Sequence, residues 1–185
     1  MAVFMPQAST TDAMADAAAG LTSRDVAPQA SLAPDVATNI RDQRLRRFYD
    51  YWIERRGEQR MPSRRDIDPL DFPYLLGKLM LVDVLANPQR FRVRLHGTEV
   101  VARMHYDMTG KFLDEVPRPE WRTYILDRCR GLAASGEPLL LTNDLLLDGW
   151  SSRYEALWLP FSDDGVSINL LVCAMIYGEL GPAAA

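Results

Sequence analysis

Hydrophobic and polar positions follow two different periods along this chain. In residues 39–57 the apolar side chains recur three or four positions apart, which is the spacing of one stripe along an amphipathic helix. The stripe consists of Leu45, Phe48, Tyr49, Trp52 and Ile53. Asn39 has a side chain that can cap the start of such a helix, and Gly57 lies where the helix would end. The pattern therefore predicts an N-terminal amphipathic helix.

The polar faces of this helix are rich in arginine: Arg41, Arg44, Arg46, Arg47, Arg55 and Arg56. A basic face of this kind can bind nucleic acid or a membrane surface. Asp42, Asp50 and Glu54 lie within the same turns, and mixed charges are typical of a solvated face. We therefore interpret these faces as exposed to solvent.

Five later segments have the composition of β-strands. Residues 78–86 are branched and apolar, and residues 91–97 alternate between apolar and polar side chains after the short turn NPQR. So short a turn predicts a hairpin. Residues 139–147, 154–161 and 166–180 have the pattern of three further strands, and the tight turn SDDG joins the last two as an antiparallel pair.

Helical segments separate the second strand from the third. Short helical pieces and turns occupy residues 98–116. A longer helix is indicated in residues 118–138 by apolar residues at helical spacing, with Pro119 near its start and Gly136 beyond its end. This order predicts an α+β fold, a five-stranded antiparallel sheet with the inserted helices on one face. The N-terminal helix would cover the other face or pair with its copy in a dimer.

The same patterns divide the chain into four parts. Residues 1–37 contain too few branched and aromatic side chains to form a core, which predicts a disordered tail, with a short helix at residues 11–21 as the alternative. The amphipathic helix takes residues 38–58 and a connector takes residues 59–77. Residues 78–180 form the main domain.

Two motifs show a resemblance to a known family. The segment RFRVRLHGTEVVARMHYDMTGKFLDEV resembles the part of a PAS domain in which the second strand ends in Gly-Thr, followed by a helix and a DLTGK-like turn, here residues 107–111. The leader YWIERRGEQRMPSRRDIDPLDFPYLLGKLMLVDV is similar to the start of small bacterial single-domain PAS proteins of the alphaproteobacterial type. Together the two motifs extend the resemblance over about residues 49–175, and the element order is that of the PAS fold.

The resemblance implies a sensory or interaction module. PAS domains can hold a small ligand between the sheet and the inserted helices. They commonly dimerise through N-terminal helices and act on signalling partners, often histidine kinases. We therefore expect a homodimer that regulates a signalling protein by contact.

Composition and charge limit the class of partner and the cellular compartment that we expect. The chain has 185 residues and a net charge of −4, which gives no reason to expect a nucleic-acid partner. Cys129 and Cys173 form no CxxC pattern and indicate thiols in a reducing compartment. The N-terminus has no signal-peptide pattern, and the apolar run INLLVCAMIY is too short to span a bilayer. We expect a cytoplasmic protein without membrane insertion.

The sequence contains no recognisable catalytic set. The phosphate-loop patterns GxGxxG and GxxxxGK[ST] are absent, and GWSSR does not match GxSxG. His96 and His105 are too few, and too far from the cysteines, to suggest a triad or a metal site. We therefore expect neither an enzyme nor a metal protein.

Two cofactors known from PAS domains are not expected here, and the cofactor, if there is one, stays unknown. The NCRFLQ-like motif of flavin photosensors is absent, and residues 118–135 lack the histidine that usually binds haem. His105 either reaches a pocket or, as we favour, faces solvent or caps a helix. His96 takes an outward position of its strand and is expected at the surface or under the N-terminal helix.

Apolar residues from the sheet and the helices define a candidate ligand pocket, and a core filled by side chains is the alternative. The predicted lining consists of Val93, Leu95, Met104, Met108, Phe112, Trp121, Tyr124, Ile125, Trp158, Leu170 and Val172.

The charged connector offers a second candidate site. Arg60 to Arg64 matches RxxxR and Arg65 to Asp68 matches RxxD, patterns that occur in cyclic-dinucleotide binders. Arg60, Arg64 and Arg65 are thus candidate anion or partner contacts, although a structured connector is the main interpretation. The apolar stripe, at Leu45, Phe48, Tyr49 and Trp52, is the candidate dimer or partner surface.

Overall fold

The computed structural model of the protein describes residues 35–147, 150–179 and 181–182. The predicted tail therefore lies almost entirely outside the described residues. The described chain begins with the short helix α1, Val36–Asn39, whose first turn is capped by the side chain of Asp35. Asn39 ends this helix, so the prediction that Asn39 caps the amphipathic helix is wrong.

The amphipathic helix is α2, Gln43–Arg56. The carboxylate of Asp42 caps it by accepting the backbone N–H of Arg44 at 2.8 Å. It ends at Gly57, which has a φ of 52° in the left-handed region, as the pattern predicts. Its apolar stripe is buried at Leu45, Phe48 and Trp52 and half-buried at Tyr49 and Ile53.

Five antiparallel strands form the sheet, in the spatial order β2-β1-β5-β4-β3. They are β1 Leu79–Leu85, β2 Arg90–His96, β3 Leu139–Leu147, β4 Trp150–Phe161 and β5 Leu170–Tyr177. A two-residue strand, β6 Gly181–Pro182, pairs with β4. The predicted α+β fold with a five-stranded antiparallel sheet is confirmed.

The inserted helices lie between β2 and β3 in the chain. They are α3 Thr98–Met104, the 3₁₀ turn Leu113–Glu115 and α4 Pro119–Ser135. As predicted, α4 starts at a proline and is followed by Gly136, with a φ of 67°.

The two faces of the sheet pack against different layers. Met80, Cys173 and Trp158 are cross-strand neighbours, so their side chains share the face toward the inserted helices. Alternate residues, such as Val172 and Leu159, share the opposite face, which α2 covers. The sheet is therefore the middle layer of three.

A side-chain hydrogen bond ties α2 to this opposite face. The indole Nε1–H of Trp52 donates to the carbonyl oxygen of Pro160 at 2.8 Å. The pairing of β3 with β4 starts at Leu139 and Trp158, so this edge of β4 has no strand beside it at Pro160. The indole therefore satisfies a carbonyl that the sheet leaves free.

A β-bulge interrupts the hairpin of β1 and β2. Val82 pairs with Val93 and Leu81 pairs with Leu95, so Arg94 is one extra residue on β2. Beyond the bulge the alternation of faces is reversed. His96 is therefore buried, at 8% exposure, whereas Leu95 is 42% exposed.

A close contact between backbones closes the other end of β2. The N–H of Gly97 donates to the carbonyl of Leu79 at 2.8 Å, and the N–H of Glu99 donates to the carbonyl of Gly77 at 2.9 Å. A Cβ atom on Gly97 would lie 2.4 Å from the oxygen of Gly77. Only glycine fits here, which gives the Gly-Thr motif a packing reason.

Candidate functional site: an apolar cavity between the sheet and the inserted helices

A cavity of about 60 Å³ lies between the sheet and the inserted helices. Strands β1 to β5, α3, α4 and the segment between those helices all contribute to its wall. Almost all of the wall is apolar. A single buried water needs about 10–15 Å³ measured in this way, so the cavity has room for a small molecule of a few heavy atoms.

His96 is a polar residue in this wall, and its environment fixes its protonation. Its Nδ1 accepts the backbone N–H of Met108 at 3.2 Å, so the proton of the neutral ring is on Nε2. Burial lowers the pKa of His96 below its ordinary value, although the carboxylate of Asp107, 3.8 Å from Nδ1, acts in the opposite direction. The imidazole is therefore held neutral, with an N–H group at Nε2.

Tyr106 is a second polar residue of the wall. Its ring centroid lies 6.4 Å from that of His96. Burial raises the pKa of the Tyr106 phenol, so its hydroxyl group stays protonated. Both polar groups are thus uncharged.

Methionine is frequent in the rest of the wall, at Met80, Met104, Met108 and Met175. Unbranched thioether side chains change rotamer at low cost. The wall can therefore adapt to the shape of an occupant.

Part of the predicted pocket is found at this cavity. Its wall includes Met104, Met108, Trp121, Tyr124, Ile125 and Trp158. Helical spacing in the sequence was the signal that placed Trp121, Tyr124 and Ile125 on one face of the longer helix.

The remaining predicted pocket residues lie elsewhere. Leu95 faces outward because of the bulge, and Leu170 and Val172 belong to the sheet face that α2 covers. Val93 is fully buried beside Val82, and Phe112 packs under the guanidinium of Arg90. The placement of these five residues in the pocket is therefore wrong.

Several wall residues were not predicted: Met80, His96, Val100, Tyr106, Leu113, Val116, Leu141, Tyr154, Ala156 and Met175. The i, i+4 spacing of Val100 and Met104 was a usable signal. The position of His96 had none, because the bulge that turns it inward has no signature in the sequence. His105 is exposed at the end of α3, as we favoured, so a histidine other than the one considered lies at the cavity.

The three connector arginines do not share a site. The guanidinium of Arg60 donates to the carbonyl of Ser135, at the end of α4. Nη1 of Arg64 lies 3.6 Å from the carboxylate of Asp83 in β1, and Arg65 is exposed. The three arginines therefore have different surroundings, and their role as an anion or partner contact stays a prediction.

Most of the connector is a series of 3₁₀ turns. Ser63 and Asp66 form a capping box around the first of them, Arg64–Asp66. Asp71 pairs with Arg55 of α2 at 3.0 Å. Phe72 and Leu75 are buried, which attaches the connector to the core. The connector thus fixes how α2 enters the domain, in agreement with our main interpretation.

Asp83 is a buried carboxylate whose surroundings were not predicted. Arg94 Nη2 lies 2.8 Å from it and Arg92 Nη2 lies 3.1 Å from it, in addition to Arg64. Three cations surround a single carboxylate that is only 3% exposed. The group joins the connector to β1 and β2, and buried charge with partners of this kind is expensive to disrupt.

The candidate partner surface on α2 is occupied within the chain. Leu45, Phe48 and Trp52 pack into the protein's own core, and Tyr49 is half-buried beside Trp52. The interpretation of this stripe as a dimer or partner surface is therefore wrong. We considered that this helix either covers the second face of the sheet or pairs with its copy in a dimer. In the structure it covers the sheet of its own chain.

Other reactive groups lie away from the cavity. Cys129 and Cys173 are free, fully buried thiols outside the cavity wall, and burial raises the pKa of both. In the described part of the chain there is no cluster of three or more His, Cys, Asp or Glu that could hold a metal ion. No helix among the described residues has the length and hydropathy needed to cross a bilayer.

An antiparallel sheet of this strand order, with helices inserted after the second strand and a cavity beneath them, is the architecture of a PAS domain. The sequence matches the family model of the PAS domain over residues 40–173. This match covers well over half of the chain, and the chain therefore belongs to the PAS domain family. The leader segment suggested a narrower subgroup, the small bacterial single-domain PAS proteins, and that assignment stays a prediction.

Solved structures with similarity to the chain include several light-oxygen-voltage (LOV) proteins. A Rhodobacter sphaeroides LOV protein is 13% identical with a TM-score of 0.41, over 60% of this chain and 68% of its own. A fungal LOV domain photoreceptor is 12% identical with a TM-score of 0.38, over 62% of this chain and 94% of its own. No curated protein sequence matches the chain.

Proposed function

We propose that this chain is a cytoplasmic sensory and regulatory module of bacterial signalling, of the alphaproteobacterial type. It binds a small molecule in the cavity and regulates a signalling protein, such as a histidine kinase, by direct contact. It has no catalytic activity of its own. The observation that carries the proposal is the apolar cavity between the sheet and the inserted helices, with a neutral polar group in its wall.

The layered fold supports a route from the cavity to the protein surface. Met80 and Trp158 contact the cavity, and the residues beside them in the chain, Leu79 and Leu159, face α2. Because the core is close-packed, an occupant that shifts these strands also shifts the sheet face against which α2 packs.

The contact surface has to lie outside the buried stripe of α2. Leu76 and Leu95 are 55% and 42% exposed. The close approach of Gly77 to Gly97 brings their two chain segments together. This exposed region of the connector and β2 supports a contact with a partner, which we propose to be a signalling protein or a second copy of the chain.

Native mass spectrometry of the purified protein, combined with an absorbance spectrum, tests the proposal. We expect a bound small molecule that is released on denaturation. Ala156→Leu places a larger side chain in the cavity wall, and we expect it to abolish this mass excess. Ala102→Leu is the matched control on the exposed face of α3, and we expect it to retain the molecule.

Two results would contradict the proposal. One is a protein that carries no molecule and binds none from a broad panel of small metabolites. The other is a mass excess that Ala156→Leu and Ala102→Leu affect equally, since the molecule would then lie outside the cavity.

A further inference from the structure

We propose that the cavity selects an uncharged, mostly apolar molecule that carries one hydrogen-bond acceptor, such as a carbonyl oxygen, and that the Nε2–H group of His96 recognises this acceptor. The inference rests on the proposed ligand-binding function and names the class of ligand.

The first argument is the unused donor. Nδ1 of His96 is engaged by the backbone N–H of Met108, which places the proton on Nε2. Among the described residues, none accepts a hydrogen bond from Nε2, although the side chain is only 4% exposed. Because His96 is in the wall of the cavity, an acceptor atom on an occupant would supply the partner that Nε2–H lacks.

The second argument is charge. The described wall residues include no Lys, Arg, Asp or Glu. His96 and Tyr106 are both held in their neutral forms. A charged ligand would lose its hydration without gaining an opposite charge, which is strongly unfavourable.

The third argument is size and shape. A cavity of about 60 Å³ suits a molecule of a few heavy atoms. The tryptophan, methionine and leucine side chains in its wall contact an apolar body, and the methionines adjust to its outline. The class is therefore small and compact.

Matched probes separate this class from others. Cyclopentanone and methylenecyclopentane have nearly the same shape, and only the ketone carries an acceptor. Isobutyrate supplies acceptors with a negative charge. Binding to the intact protein can be followed by the fluorescence of Trp121 and Trp158, which lie in the cavity wall.

We expect the ketone to bind about five- to tenfold more tightly than the alkene, since one neutral hydrogen bond contributes about 1 kcal/mol. His96→Asn keeps an acceptor near Met108 N–H and removes Nε2–H, and it should bring the ratio close to one. His105→Asn changes the exposed histidine, whose left-handed conformation suits asparagine, and should leave the ratio unchanged.

The chemical shift of the Nε2 proton in the ¹⁵N-histidine spectrum of the wild-type protein is an independent readout that needs no variant. We expect a downfield shift with cyclopentanone and none with the alkene.

Equal affinities of the wild-type protein for ketone and alkene would overturn the inference, as would tighter binding of isobutyrate. If cyclopentanone fails to bind while native mass spectrometry still finds an occupant, the class is wrong and the proposed function stands. If no occupant of any kind is found, the proposed function itself fails.

Discussion

At Arg94 the second strand contains one residue more than its neighbour, and this single insertion determines the environment of two side chains. Leu95 is placed in solvent and His96 in an apolar cavity. Burial of an imidazole disfavours its charged form, which lowers its pKa in the folded state. His96 thereby has a place in the cavity wall and also affects the stability of the fold.

The stability of the protein should depend on the protonation of His96. The pKa is lowered from 6.5 on folding, so below pH 6.5 the unfolded chain binds a proton that the folded protein does not. The free energy of unfolding should therefore fall as the pH is lowered through this value, by up to about 1.4 kcal/mol per pH unit. Urea denaturation at pH 7.5 and pH 5.5 measures the change.

The groups that face His96 do not interfere in this range. Asp107, whose carboxylate lies 3.8 Å from Nδ1 of His96, has a pKa lowered from 3.8, so its contribution is lost only in more acidic solution. His96→Asn should remove most of the decline, and His105→Asn should retain it. A decline of the same size in all three proteins would show that other groups cause it.

At this scale the sequence predicted the cavity only in part. Trp121, Tyr124 and Ile125 could be placed because residues on one face of α4 have a regular spacing. Val172 could not, because β5 is apolar on both faces and no polar position marks which face is which. His96 could not, because its orientation depends on a bulge.

At the scale of elements, the contacts between chain segments depend on a few specific positions. Gly97 lets the end of β2 approach the connector at Gly77. Trp52 Nε1–H donates a hydrogen bond to the Pro160 carbonyl at the open edge of β4. The sequence predicted the helices and most of the strands because apolar residues recur at regular intervals along them. It did not predict these contacts, since each depends on two segments that are distant in the chain.

Gly97 and Gly131 provide a matched pair for the prediction at this scale. A Cβ atom at Gly97 would lie 2.4 Å from the Gly77 oxygen and 2.7 Å from the Leu79 oxygen, and Gly97→Ala should destabilise the protein by about 3 kcal/mol.

At Gly131, in the exposed part of α4, a Cβ atom meets nothing within 4 Å. Gly131→Ala should stabilise the protein by about 0.5–1 kcal/mol through helix propensity. Both values are measurable by urea denaturation. A Gly97→Ala protein as stable as the wild type would mean that the two backbones can separate freely.

At the scale of the whole molecule, the sheet is buried on both faces, by α2 on one and by the inserted helices on the other. The apolar stripe of α2 therefore packs against the sheet of its own chain. Leu157, Leu159 and Phe161 have essentially no exposure in the folded chain. The helix is therefore an integral part of the domain.

Removal of the helix should consequently destroy the fold. A chain that begins at Glu58 exposes the outer face of the sheet, and we expect it to associate or to lose cooperative unfolding. A chain that begins at Asp35 keeps every contact described here and is the control. Size-exclusion chromatography with light scattering and near-ultraviolet circular dichroism distinguish the two outcomes. A monodisperse, cooperatively unfolding Glu58 chain would show that α2 is an accessory.

The fully apolar strand β5 has a further consequence, for synthesis on the ribosome. β5 lies between β1 and β4 in the sheet but follows both in the chain. The edges of β1 and β4 that pair with it stay open until it emerges, and such edges are where nascent chains associate wrongly. Every residue of β5 from Leu170 to Ile176 is buried in the finished fold, so no charged residue inside it slows that process. The yield of native protein should therefore depend on how soon β5 is synthesised and pairs with β1 and β4.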